Sequence, residues 1–134
     1  MIRVKTLTIQ LIDAQPDRIR ICRIDGESLV TVVVPREDLA EAKSLPNIPQ
    51  RGVYYLLDED HGNVSRVYAG QTTQGIARLD AHKAKKEFWN KAVMFLDDES
   101  NMDRDVLDAL EADAIGYVRT HGSYDTDNLE TPQP

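Results

Sequence analysis

The side chains with chemical potential gather between Gly52 and Glu111. They read Gly52-Val53-Tyr54, then Tyr68-Ala69-Gly70, then Arg78 and His82 four residues apart, and last Glu111 inside an apolar periodicity. An arginine's fork of donors matches phosphate oxygens and stays charged at every working pH. A phenol serves as a base only when neighbouring cations lower its pKa, because at an ordinary value of about 10 only a few tenths of a per cent is ionised near neutrality. A carboxylate turned towards a core costs several kcal/mol, roughly, unless it meets a cation, a donor or a metal. One glutamate is an adequate anchor for Mg²⁺, which keeps several waters and borrows oxygens from a phosphate substrate. Together these types suit attack of water on a phosphate ester.

Local patterning supplies the scaffold for these groups. Val53 to Leu57 reads as a strand, His61-Gly62-Asn63 as a turn, and Val64 to Ala69 as the partner strand. Such a hairpin brings Tyr54 and Tyr68 to one side of a sheet, although tyrosines also fill sheet faces without any chemical role. Gln71 to Gly75 leads into a helix that Thr72 or Thr73 caps, with Arg78 and His82 on one side and Ile76 and Leu79 on another. Ala92 to Leu96 reads as a sheltered strand, and Asp97-Asp98-Glu99 as a solvated acidic loop. A helix starts near Ser100 and Asp103 and runs to about residue 121, with Gly122 as its stop. Leu107, Leu110, Ala114 and Val118 form its apolar stripe and Glu111 lies in or beside that stripe, so either a salt bridge with Arg78 or a divalent metal must compensate it.

Before this unit the chain shows three short strand-like runs: Thr6 to Leu11, which alternates as a half-buried strand should, Arg18 to Cys22, and Leu29 to Val34. A short helix comes next, from Pro35 to Lys43, and the prolines at 46 and 49 mark a boundary. The expected organisation is an N-terminal β-rich extension over 1–46, a main unit over 47–128 and a flexible tail over 129–134. The extension is too small to be stable alone and should pack on the main unit.

At 134 residues with 41% apolar and 29% charged side chains, the chain has room for one modest core. Neither a membrane-spanning run nor the apolar segment of a secretory signal is visible, which gives an expectation of a cytoplasmic protein with no membrane partner. The single cysteine, Cys22, excludes an internal disulfide, and no zinc spacing is present. A net charge of −7 argues against nucleic acid as a partner, but it is unevenly spread. Residues 66–91 hold six basic and two acidic side chains, a local +4 against −11 over the rest. That island is either a phosphate-binding surface or a solvated helix face.

The two tripeptides, Arg78, His82 and Glu111, in this order, resemble the GIY-YIG nuclease family over roughly residues 47 to 128. The resemblance implies a small three-stranded antiparallel sheet flanked by helices and hydrolysis of DNA phosphodiester bonds with one Mg²⁺ or Mn²⁺ and no small-molecule cofactor. It implies that Tyr54 and Tyr68 position or deprotonate the attacking water, that Arg78 faces charge on the phosphoryl oxygens, that His82 bonds the water or shuttles a proton, and that Glu111 holds the metal. DNA contacts are expected at Arg66, Gln71, Lys83, Lys85 and Lys86, and at Asn128, which matches an Asn that comes after the Glu in many members. Two departures stand out. Ala69 replaces a branched residue, and Gln71 stands where some members carry a lysine, which removes one charge able to depress a tyrosine pKa. The alternatives are a nucleic-acid-binding module that keeps the fold without catalysis, and an acidic protein-interaction domain.

Overall fold

A computed structural model of the chain describes residues 2–121 and 125–126, with side chains from residue 2 to residue 116. The first runs become β1 (Leu7–Leu11), β2 (Arg20–Ile24) and β3 (Val30–Pro35). A 3-10 turn, Arg36–Asp38, then enters α1 (Leu39–Ala42). The hairpin bearing both tyrosines is longer than its sequence suggests, with β4 at Arg51–Asp60 and β5 at Asn63–Thr72. A second 3-10 turn, Gly75–Arg78, enters α2 (Leu79–Lys85). β6 (Lys91–Asp97), α3 (Arg104–His121) and the two-residue β7 (Asp125–Thr126) complete the order. The stop at Gly122, the side chain of Val118, Asn128 and the tail 129–134 lie outside the described residues.

The α+β class stands, but the sheet is larger than three strands. Its order is β1-β2-β3-β6-β4-β5-β7. All pairings are antiparallel except that of β7, which lies parallel to β5 at Arg66 and Val67. The join is β3 with β6, in register from Val30 opposite Leu96 to Pro35 opposite Lys91. Both strands are mostly apolar, and either one left as an edge would expose unpaired backbone beside large hydrophobic side chains. Pairing them makes the N-terminal meander part of the same sheet as the tyrosine hairpin.

One sheet face carries the main core, in which Val32, Leu56 and Met94 lie beneath Leu39, Leu79 and Trp89. On the other face α3 covers the hairpin, where Ala114 and Ile115 meet Ala69 and Tyr55. β4 and β6 approach so closely at Gly52 that a Cβ there would stand 1.8 Å from the Phe95 carbonyl oxygen, which only glycine avoids. β6 alternates buried Ala92, Met94 and Leu96 with half-buried Val93 and Phe95.

Three local expectations change. β1 is not half-buried: all five residues are exposed, because it is the outermost strand of the sheet. Asp97 is not solvated but 8% exposed, and its Oδ1 accepts the Asp98 N–H at 2.8 Å and the Asn101 amide at 3.2 Å. Ser100 does not start α3; it bonds Asp98, and Asp103 receives the Val106 N–H at 2.9 Å as the helix cap.

Candidate functional site

Tyr54 of β4 lies opposite Gly70 of β5, and Leu56 lies opposite Tyr68. Alternation therefore puts both phenols on the face that α2 covers. A Cβ on residue 70 would sit 2.6 Å from the Tyr54 hydroxyl oxygen and 3.0 Å from Cε1 of Tyr68. Gly70 is thus the slot by which the Tyr54 ring crosses its neighbouring strand. Thr72 then shapes the exit: its Oγ1 accepts the Gln74 N–H at 2.9 Å and donates to the Gly75 carbonyl at 3.3 Å. This is a turn closure in place of the helix cap expected at Thr72 or Thr73, and it sets the course of Gly75–Arg78 into α2.

That course delivers His82. Its Nε2 lies 2.6 Å from the Tyr54 hydroxyl. The ring centroids of Tyr54 and His82 are 5.5 Å apart, those of Tyr68 and His82 5.0 Å, and those of Tyr54 and Tyr68 6.4 Å. Lys86 places its Nζ 4.6 Å from the centre of the Tyr68 ring. His82 is buried, so the helix face that carries it does not simply address solvent as the wheel suggests. Tyr54 is 1% exposed, whereas Tyr68 is half-buried.

Burial holds the Tyr54 phenol well above its ordinary pKa, Tyr68 adds to that, and Arg78 opposes it through charge and a hydrogen bond. Glu111 also raises it. At Tyr54, desolvation outweighs the one guanidinium beside it, so Arg78 alone does not bring the phenol below its ordinary value. The Arg78 charge acts on both groups, lowering Glu111 as well as Tyr54.

On α3, Leu107, Glu111, Ala114 and Ile115 are buried on one side, and Asp105 and Asp113 are exposed. Burial raises the Glu111 pKa and Asp108 raises it further, while a hydrogen bond from Gln71 and the charge of Arg78 pull it down. Among the described residues the compensating contact is this amide, not an ion pair with Arg78. Gln71 Nε2 donates to Glu111 Oε2 at 2.7 Å and to Asp108 Oδ1 at 2.6 Å. The opposite end of the amide, Oε1, is buried and has no hydrogen-bond partner. Asp108 does not stand out in the sequence; its place one turn before Glu111 on the same helix face is the signal that could have found it.

No known family model matches the chain, and neither does a curated protein or a solved structure. The site is accordingly read from its own geometry. Beside Arg78 opens a hollow of about 290 Å³, lined also by Gln71, Thr72, Thr73, Gln74 and Arg104. It holds two arginines and no carboxylate, and Gln71 connects it to the Glu111–Asp108 pair. The Gln71 nitrogen, not its oxygen, faces the two carboxylates; only with the amide turned over would its carbonyl oxygen join Glu111 and Asp108 as the hard oxygen donors that Mg²⁺ takes. Among the described residues no three His, Cys, Asp or Glu side chains gather as a metal cage, so an ion here would keep several waters.

The expected DNA contacts divide. Gln71 and Lys86 lie at the site, Arg66 stacks on Phe88 at 4.6 Å, and Lys85 is exposed on α2. Lys83 lines a separate hollow of about 740 Å³ with Arg18, Arg20 and Arg36, which none of the five chemical residues borders. Among the described residues no helix is long and apolar enough to cross a membrane.

Proposed function

We propose that the chain is a metal-dependent endonuclease of the GIY-YIG type that hydrolyses DNA phosphodiester bonds. The observation that carries this reading is the buried Tyr54–His82 hydrogen bond, with Arg78 acting on the same hydroxyl and Glu111 within its electrostatic reach. Four separate elements supply these groups, and a core built only for stability has no need to bury a phenol, an imidazole and a carboxylate together.

In the proposed mechanism the scissile phosphate enters the hollow beside Arg78, whose guanidinium faces charge developing on the phosphoryl oxygens. Tyr68, the less buried phenol, orients the attacking water. As the water oxygen bonds to phosphorus and the bond from phosphorus to the leaving oxygen breaks, the water's proton passes to the Tyr54 oxygen while the Tyr54 proton moves to His82 Nε2, so that proton rests on the imidazole, Tyr54 is never a free phenolate, and the leaving oxygen takes its proton from solvent. A raised Tyr54 pKa is compatible with this relay, and would not be with a resting tyrosinate base. Glu111, with Asp108 and the Gln71 carbonyl, would hold one Mg²⁺ or Mn²⁺, which when bound supplies positive charge at the leaving oxygen. Lys86, Lys85 and Arg66 would carry the flanking phosphates.

Two observations favour a second reading, a DNA-binding module without catalysis. Tyr54 is 1% exposed, and the Gln71 amide already bridges the two carboxylates. A DNA cleavage assay with Mg²⁺ and with chelator separates the two. Endonuclease activity predicts metal-dependent cleavage lost in Glu111→Ala. Salt-sensitive binding without cleavage, retained in Tyr54→Phe and lost in Arg78→Ala, points to the module. Absence of any salt-dependent DNA affinity points to a protein-interaction domain.

A further inference from the structure

The edge of the sheet farthest from this site is built to pair with itself, and we infer that β1 joins two copies of the chain in a symmetric dimer. The backbone bonds at the two ends of β1 fix which residues face outwards. The Thr6 carbonyl accepts the Asp25 N–H at 2.8 Å and the Ile12 N–H donates to the Ile19 carbonyl at 3.1 Å, both towards β2 and its adjoining turns. Backbone direction alternates along an antiparallel strand, so Thr8 and Gln10 also turn towards β2. Leu7, Ile9 and Leu11 therefore direct their N–H and C=O groups to the open edge. These same three residues carry the large apolar side chains of the strand, 57%, 53% and 40% exposed.

Proteins blunt an exposed edge with charge, proline, a bulge or a cover. β1 has no charged residue, no proline and, among the described residues, no covering element. Its sequence, Leu-Thr-Ile-Gln-Leu, is instead close to a palindrome about Ile9. A two-fold axis at Ile9 sets Ile9 against Ile9 of the second copy, Leu7 against Leu11, and Thr8 against Gln10. Each outward-facing residue then exchanges both backbone bonds across the axis, and every apolar side chain meets another. At the flanks the antiparallel arrangement carries exposed Lys5, which pairs with Glu27 of its own chain, towards exposed Asp13 of the other copy, which pairs with its own Arg18. A register shifted by four residues, centred on Leu7, would instead set Ile9 against Lys5. A second copy fits because an isologous interface demands self-complementarity, which a strand of another protein would not require. The two candidate sites would lie at opposite ends of one continuous sheet.

Sedimentation velocity over a concentration series tests this. Twice the 15.1 kDa chain mass is expected for the wild type. Ile9→Lys, which sets two ammonium groups on the axis, should raise the dimer dissociation constant about tenfold or more with an unchanged circular dichroism spectrum. Lys5→Glu should weaken the dimer, and Lys5→Glu combined with Asp13→Lys should restore it. Mild oxidation of Ile9→Cys in a Cys22→Ser background should link two chains covalently. A wild type that stays monomeric, or a dimer that survives Ile9→Lys, overturns the inference.

Discussion

The Tyr54 hydroxyl and His82 Nε2 lie 2.6 Å apart, and neither residue is more than 5% exposed. Burial makes a polar group in such a pair costly to leave unsatisfied, and Arg78 is a further partner of the Tyr54 hydroxyl. Tyr54→Phe should remove this buried hydrogen bond and cost about 1–3 kcal/mol of stability in urea unfolding. His82→Phe should cost a comparable amount, and the double variant less than the sum of the two, as expected for groups in direct contact.

Gly70 is the position where the fold and the chemistry depend on the same missing atom. Gly70→Ala places a methyl group 2.6 Å from the Tyr54 hydroxyl oxygen and 2.7 Å from its Cζ. Both phenols must move, at a cost of about 1–3 kcal/mol typical of overpacking. Loss of any DNA cleavage should accompany this, with the circular dichroism spectrum retained.

Much of this is legible in the sequence, for a physical reason. Strand alternation and a short turn carry Tyr54 and Tyr68 to one face, and the helix wheel places Glu111 among Leu107 and Ala114; these are local periodicities that a chain cannot conceal. The union of β3 with β6 is not legible, because it is a pairing between strands some sixty positions apart and depends on which apolar strand is left without a neighbour. The protonation of Tyr54 is hidden for a related reason. Spacing reveals that Arg78 is near, but not that packing around the ring removes water and reverses the net effect. Gln71 reads in sequence as the loss of a lysine; in three dimensions it is the donor that bridges buried Glu111 and half-buried Asp108.

Glu111 should destabilise the fold as it ionises. Its pKa is raised by burial, so the folded chain holds the proton more firmly than the unfolded one. Stability present below the ordinary glutamate value is lost as pH rises through the higher folded value. Glu111→Gln should abolish that decline and be more stable than the wild type at neutral pH, while losing metal-dependent cleavage. Thermal melts from pH 4 to pH 8 measure it.

Asp97 should show the opposite sign. Burial pushes it up, but hydrogen bonds involving Ser28, the Asp98 N–H and Asn101 together hold it below the ordinary carboxylate value. The stability it contributes is present above the ordinary aspartate value and is lost as pH falls through its depressed folded value. Asp97→Ala should cost about 1–3 kcal/mol at neutral pH by leaving those donors unpaired, and should flatten the acid limb of the stability profile.

The most direct measurement is anomalous diffraction from a crystal soaked in Mn²⁺. One peak is expected within coordination reach of Glu111 and Asp108, at roughly 2.0–2.3 Å from a carboxylate oxygen, with the Gln71 amide turned so that its carbonyl oxygen, not its nitrogen, faces the ion. An amide nitrogen still bridging both carboxylates at millimolar Mn²⁺, with no density beside Glu111, would contradict a metal-dependent nuclease built on these residues.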